Sequence, residues 1–154
     1  MPVAKAKEII MFIGIPATGK STFYQQRFSD THLRINRDML KTAVRTRSLF
    51  DWCLERGQSC VLDNTNTTRD VRRPWIAAAT ERNIPVIGYF FQSCLQAALE
   101  RNSRRQGTAR IRDAGVWHHH ARLELPCIEE GFASLHFVKL AGDGFEVHPW
   151  LNEI

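Results

Sequence analysis

No two cysteines of this 154-residue chain form a CxxC pair. Cys53, Cys60, Cys94 and Cys127 stand singly in or beside apolar runs, so buried free thiols are expected rather than disulfides. That fits a reducing compartment. No apolar run approaches the length of a membrane span. The lysine-bearing start "MPVAKAKEIIMFIG" leads straight into a glycine loop, so it is expected to be a strand and not a secretory leader. A cytoplasmic protein without membrane contact is the expectation. The sequence also lacks internal repeats, low-complexity tracts and linkers, which excludes solenoid arrays and disordered tails. His118, His119 and His120 are consecutive but have no Cys or Asp at ligand spacing, so they are expected to be a polar helix face and not a zinc site.

What is present is an ordinary globular composition, 44% hydrophobic and 24% charged. Such a chain can bury a core, and its length is that of one domain, 1–154. The net charge of +5 and the pI of about 9.3 point to an anionic partner, either nucleic acid or a phosphorylated small molecule.

Short apolar runs alternate with helical stretches. "EIIMFIG" (8–14) has no polar alternation and reads as a buried parallel strand. A helix opens at Lys20. "HLRIN" (32–36) is a weaker strand. Asp38 stands where a helix N-cap belongs, ahead of "MLKTAVRTRSLFDWCLERG", which stops at Gly57. "SCVLD" (59–63) and "PVIGYFF" (85–91) are strands flanking the helical "RDVRRPWIAAATERN", with Pro74 near its first turn. "SCLQAALERNSRRQG" is a helix with Ser93 as cap and Gly107 as stop. "LHFVKL" (135–140) is a strand, and "GFEVHPW" is a candidate for one more. Residues 108–126 read as a mobile flap. The four tryptophans are expected to be packing residues. The alternation predicts an α/β fold: a mainly parallel sheet of the P-loop NTPase type, helices on both faces, and a helical, arginine-bearing lid near 101–125.

"GIPATGKST" (14–22) has the spacing of a phosphate-binding loop: Gly14, four residues, then Gly19, Lys20 and Ser21. It follows an apolar strand and opens a helix, the context the motif needs. Backbone N–H groups from Gly14 to Gly19, through Ala17 and Thr18, can face the phosphates, and the helix N-terminus adds a positive dipole end. Lys20 can reach the β- and γ-phosphates of ATP. The Ser21 hydroxyl, with Thr22 behind it, can ligate Mg²⁺.

A phosphoryl acceptor needs a carboxylate to take its proton. Asp38 follows a strand at the sheet edge where parallel sheets hold ligands. It can serve as that base or simply cap its helix. "VLDNTN" (61–66) delivers Asp63 to the same edge, a position suited to organising Mg²⁺. Asn64, Thr65 and Asn66 follow as neutral groups able to orient a substrate. Arginines cluster in "TTRDVRRPW" and "ERNSRRQGTARIR". Arg101, Arg104 and Arg105 share a helix face, and Arg105 can swing over the nucleotide. Other cations can hold acceptor phosphates.

These pieces, "GIPATGKST", "INRDML", "DNTN" and "LERNSRRQGT", stand in an order and spacing that resembles phage-type polynucleotide 5′-kinases, P-loop phosphotransferases related to the kinase domains of nucleic-acid repair enzymes. The resemblance spans roughly residues 8–126. It implies an ATP·Mg²⁺ site on a P-loop sheet and a tunnel for a 5′-OH end. It implies Lys20 and Ser21 as the loop lysine and hydroxyl, Asp38 as general base, and Arg105 as the lid arginine on the ATP phosphates, with Arg101 one turn before it. Arg37, Lys41, Asn64, Asn66, Arg72 and Arg73 become the candidates for holding the acceptor. Lys41 stands where the family often has an arginine, a departure toward weaker bidentate contact. A minimal kinase, without the phosphatase, ligase or phosphoesterase domains of repair fusions, is the expectation. Two other functions stay open: a kinase of a small metabolite or nucleotide, and an ATP-binding switch with no acceptor.

Overall fold

The computed structural model describes residues 7–151; the first six residues of the lysine-bearing start lie outside it. Six strands form one sheet in the order β2-β3-β1-β4-β5-β6. They are β1 (Ile9–Ile13), β2 (Leu33–Ile35), β3 (Cys60–Leu62), β4 (Val86–Phe91), β5 (Ser134–Ala141) and β6 (Gly144–Pro149). The first five run parallel, and β6 turns back antiparallel on β5. The expected α/β architecture is the observed one.

β1 explains why its sequence carries no alternation. Successive side chains of a strand point to opposite faces, and here both faces are covered. Ile9, Met11 and Ile13 enter the larger core with Phe50, Leu54, Ile76 and Phe132. Ile10 and Phe12 enter a second core with Phe23, Phe91 and Val138. All five β1 residues are buried, and each such side chain stabilises the fold by about 1.5–3 kcal/mol.

The helices are α1 (Lys20–Arg27), α2 (Arg37–Leu40), α3 (Ala43–Arg56), α4 (Arg69–Glu81), α5 (Leu95–Ser103) and α6 (Asp113–Arg122). The chain leaves β1 toward β2 and leaves β3 toward β4, on opposite sides. The crevice between the ends of β1 and β3 is therefore the switch point where such sheets take ligands.

Several local expectations are corrected. The helix expected after Asp38 is two helices. Asn36, not Asp38, is the first cap, accepting from the Met39 amide at 2.9 Å. Thr42 caps the second, accepting from Arg45 at 3.1 Å. Between them Lys41 has φ 76° and ψ −42°, and the Thr42 amide bonds the Leu40 carbonyl at 3.0 Å. This is a tight γ-turn, a strained conformation for a residue with a side chain. Ser93 caps no helix: its hydroxyl donates to the Phe91 carbonyl at 2.8 Å and accepts from the Ile15 amide at 3.2 Å. The helix it precedes begins after Cys94 and ends at Ser103, short of Gly107.

The expected flap contains α6, which packs Val116 against Ala98 of α5 and Ile15 of the glycine loop. Trp75 and Trp150 pack on the larger core, but Trp52 and Trp117 are exposed. Cys53 and Cys60 are buried free thiols, whereas Cys94 is exposed. No helix among the described residues is long and apolar enough to cross a membrane.

Candidate active site

The glycine loop wraps the mouth of the crevice. Ala17 (φ 63°) and Gly19 (φ 93°) both take positive φ, which turns successive backbone amides inward. Gly19 has a second reason to lack a side chain, because a Cβ there would lie 2.8 Å from the Phe145 ring. Gly19 is the N-cap of α1, and no side chain caps that end. Thr18 stiffens the loop by donating to the Ile15 carbonyl at 2.9 Å.

Lys20 Nζ lies inside this loop. It donates to the carbonyls of Gly14 at 3.0 Å and Ile15 at 2.7 Å. Burial pulls its pKa down to about 8, the nearby Asp63 carboxylate offsets part of this, and Arg105 adds to the lowering. Lys20, Asp63 and Arg105 therefore share one electrostatic neighbourhood.

Asp63 is 2% exposed at the end of β3. Its Oδ2 lies 3.4 Å from the Ser21 hydroxyl. Arg34, from the middle of β2, closes the set: Nε donates to Asp63 Oδ2 at 2.7 Å and Nη2 to Ser21 Oγ at 2.9 Å. Arg34 was not among the residues singled out in the sequence. Hard oxygen donors from one carboxylate and one hydroxyl suit Mg²⁺, which takes few protein ligands and completes its shell with phosphate and water. That the same pair already holds a cationic guanidinium fits a site built for positive charge. Among the described residues no three His, Cys, Asp or Glu side chains converge on a metal position, so Ser21 and Asp63 are the candidates.

Asn36 ties α2 to this crevice. Its amide donates to the Asp63 carbonyl at 2.7 Å while its oxygen caps α2. The Arg37 amide donates to Asn64 Oδ1 at 2.9 Å. Asp38, in the first turn of α2, is exposed and follows the two residues, Asn36 and Arg37, that bond the Asp63–Asn64 segment. Thr65 anchors the loop from the other side, its carbonyl accepting from the Gly14 amide at 3.0 Å.

Ala17, Gly19, Thr22, Arg101 and Arg105 line a cleft of about 280 Å³ with Leu140, Gly142, Asp143 and Phe145. The β5–β6 turn thus forms one wall of the space beside the phosphate loop. The Arg101 guanidinium donates to the Ala17 carbonyl. Arg105 is half-buried, donates to the Ala109 carbonyl at 3.1 Å, and has its pKa lowered by burial. Asn102 is fully buried and clamps the lid turn through the Ile111 amide at 3.1 Å and carbonyl at 2.7 Å.

Two expectations about the acceptor fail. Arg72 is fully buried, and its guanidinium donates to both oxygens of Glu130 at 2.8 and 3.1 Å and to the Asn66 carbonyl at 2.8 Å. The side chain presents no surface to a ligand. Asn66 is buried too, and its amide donates to the Phe12 carbonyl at 2.8 Å, stitching β1 to the loop after β3. Arg73 is exposed and pairs with Asp70 at 2.7 Å on α4. Lys41 and Arg37 are exposed close to Asp38.

The sequence places His119 on a polar helix face. It is half-buried, and its pKa is lowered by burial, then by His118, Lys20 and Arg122, with Asp38 opposing. The α6 helix therefore brings an imidazole within electrostatic reach of both Lys20 and Asp38. Only the exposed position of this helix over the loop, not the sequence, carries that information.

Residues 30–126 match the family described as the AAA domain. The phosphate loop lies ahead of the matched stretch and rests on its own motif and geometry. The chain is 30% identical over 133 residues to the bifunctional polynucleotide phosphatase/kinase of Schizosaccharomyces pombe, a match covering 84% of this chain and 33% of that protein. The chain thus spans about a third of that relative. Among solved structures, Chaetomium thermophilum Kti12 in complex with ADP-AlF3 superposes with a TM-score of 0.65 at 18% identity, covering 88% of this chain and 89% of that one. A gluconokinase from Sinorhizobium meliloti 1021 superposes at 0.64 and 17% identity, over 89% of this chain and 85% of its own. At these identities the structural likeness shows the fold alone, a mainly parallel α/β sheet of the P-loop type.

Proposed function

The chain belongs to the AAA domain family, and from that premise we propose that it is an ATP-dependent kinase moving the γ-phosphate to the 5′-hydroxyl end of RNA or DNA. The observation that carries this reading is the shared crevice. Asn36 fastens the short α2, with Asp38 in its first turn, to the backbone of Asp63, whose side chain reaches Ser21 of the phosphate loop. That linkage supports reading Asp38 as a proton acceptor near the phosphate cradle. The name of the fission-yeast relative supports a polynucleotide as acceptor, as does the net charge of +5.

In this reading the loop amides and Lys20 bind the β- and γ-phosphates. Lys20 must leave the Gly14 and Ile15 carbonyls to do so. Phosphate charge then favours its protonated form against the lowering by burial. Ser21 and Asp63 would hold Mg²⁺, which would supply positive charge against the phosphates. Asp38 accepts the proton of the attacking hydroxyl as the new O–P bond forms and the bond from the γ-phosphorus to the bridging oxygen breaks, with ADP as the leaving group. Arg105, at the cleft wall, stabilises charge on the transferring group, a role worth about 10³–10⁵ in rate. Arg37, Lys41, Asn64 and Arg73 are the acceptor-side groups.

The test supplies γ-labelled ATP, Mg²⁺ and a 5′-OH oligonucleotide, beside the same strand already 5′-phosphorylated. Label on the 5′-OH strand alone, falling steeply with salt, is expected. Label on a small hydroxyl compound with none on the oligonucleotide would replace this reading with a small-molecule kinase of the gluconokinase kind. ATP hydrolysis with no labelled acceptor would replace it with a nucleotide switch.

A further inference from the structure

We infer that Arg34 is a resident cation of the metal pair: its guanidinium holds the two oxygens, Ser21 Oγ and Asp63 Oδ2, that a nucleotide-bound Mg²⁺ requires, and must release them as the metal binds. The inference rests on the reading of Ser21 and Asp63 as the metal donors. It adds a positioning residue that neither the motif nor the relatives' names supply.

The geometry is specific. Arg34 Nε lies 2.7 Å from Asp63 Oδ2, and Nη2 lies 2.9 Å from Ser21 Oγ. One planar group thus bridges both donors. Asp63 is 2% exposed, and a carboxylate so enclosed needs a positive partner. Arg34 occupies one acceptor position on each of these two oxygens, leaving fewer for a metal ion. A divalent ion beside a guanidinium is also opposed by like-charge repulsion. One cation must yield to the other.

The fold leaves Arg34 a way out. It sits on β2, a three-residue strand at the sheet edge, and its side chain is 27% exposed. Movement toward solvent disrupts no core contact, since the buried residue of that strand is its neighbour Ile35. Arg34 therefore keeps Asp63 neutralised in the absence of metal and tunes metal affinity downward. Charge-assisted hydrogen bonds are about twice as strong as neutral ones, so removing the competitor is expected to strengthen the metal's contribution on the order of tenfold.

The measurement is the ratio of ADP dissociation constants without and with Mg²⁺, by calorimetry, in wild type, Arg34→Met and Arg34→Lys. No acceptor or turnover is involved. Arg34→Met is expected to raise the ratio about tenfold, while lowering the melting temperature in metal-free buffer and recovering it with Mg²⁺ and ADP. Arg34→Lys keeps a cation without the fork and is expected to fall between. A ratio unchanged or reduced in both variants would make Arg34 a plain structural partner and overturn the inference. So would an undiminished ratio in Asp63→Asn, because the metal would then be held elsewhere. If the ratios behave as expected but no 5′-OH strand is labelled, the acceptor assignment fails and this inference stands.

Discussion

Arg72 and Arg34 each give a guanidinium to a carboxylate the fold has nearly removed from water. Arg72 is 0% exposed, and its partner Glu130 is 9% exposed. All its bonds, two to Glu130 and one to the Asn66 carbonyl, end inside the protein. Arg34 is 27% exposed, makes a single bond to Asp63, and shares its other arm with a hydroxyl of the phosphate loop. The first arrangement is closed and fastens α4 to the turn at Glu130. The second is open and sits on groups with other work to do. The same ion-pair chemistry is a rivet in one place and a removable plug in the other. What separates them is whether the carboxylate borders the ligand crevice.

Breaking the closed pair should give the largest effect. Arg72→Met leaves Glu130 buried and uncompensated, and is expected to cost about 3–5 kcal/mol in denaturant unfolding. Removing both charges in Arg72→Met/Glu130→Leu is expected to recover most of that loss. A stable Arg72→Met protein with weakened oligonucleotide binding would instead return Arg72 to the acceptor site and erase the contrast. The open pair should respond in the opposite sense, with metal affinity gained and stability only modestly lowered, as set out above for Arg34.

Lys20 sharpens the comparison as a cation held by carbonyls. Its folded pKa of about 8 lies below the ordinary 10.5. Between those values the unfolded chain binds the extra proton, so stability of the ligand-free protein rises with pH across that window. Lys20→Met is expected to flatten this rise in urea midpoints measured from pH 7.5 to 10. An identical slope in the variant would show that Lys20 is not the group responsible. With nucleotide bound the slope should also shrink, because phosphate charge restores the proton.

How much of this was legible in the sequence differs by element. β1 and the phosphate loop were readable because an apolar run without alternation and a glycine spacing are local signals. Asp63 was readable as the polar end of an apolar strand. The burial of Arg72 was not, since its partner lies 58 residues away and nothing near Arg72 announces it. Arg34 was hidden for a similar reason: Leu33-Arg34-Ile35 reads as a weak edge strand, and its partners come from α1 and the residue that follows β3. The break at Lys41 carries no glycine or proline. It arises because Asn36 and Thr42 both cap, which stops one short helix and starts another.

The central claim is that Asp38 takes the proton from a 5′-hydroxyl while the loop holds ATP. The most direct measurement compares wild type and Asp38→Ala for single-turnover transfer of label to a 5′-OH oligonucleotide, alongside ADP binding by calorimetry. The account predicts a rate lower by about 10²–10⁴ with ADP affinity unchanged, as for loss of a general base. Transfer at the wild-type rate in Asp38→Ala would contradict it.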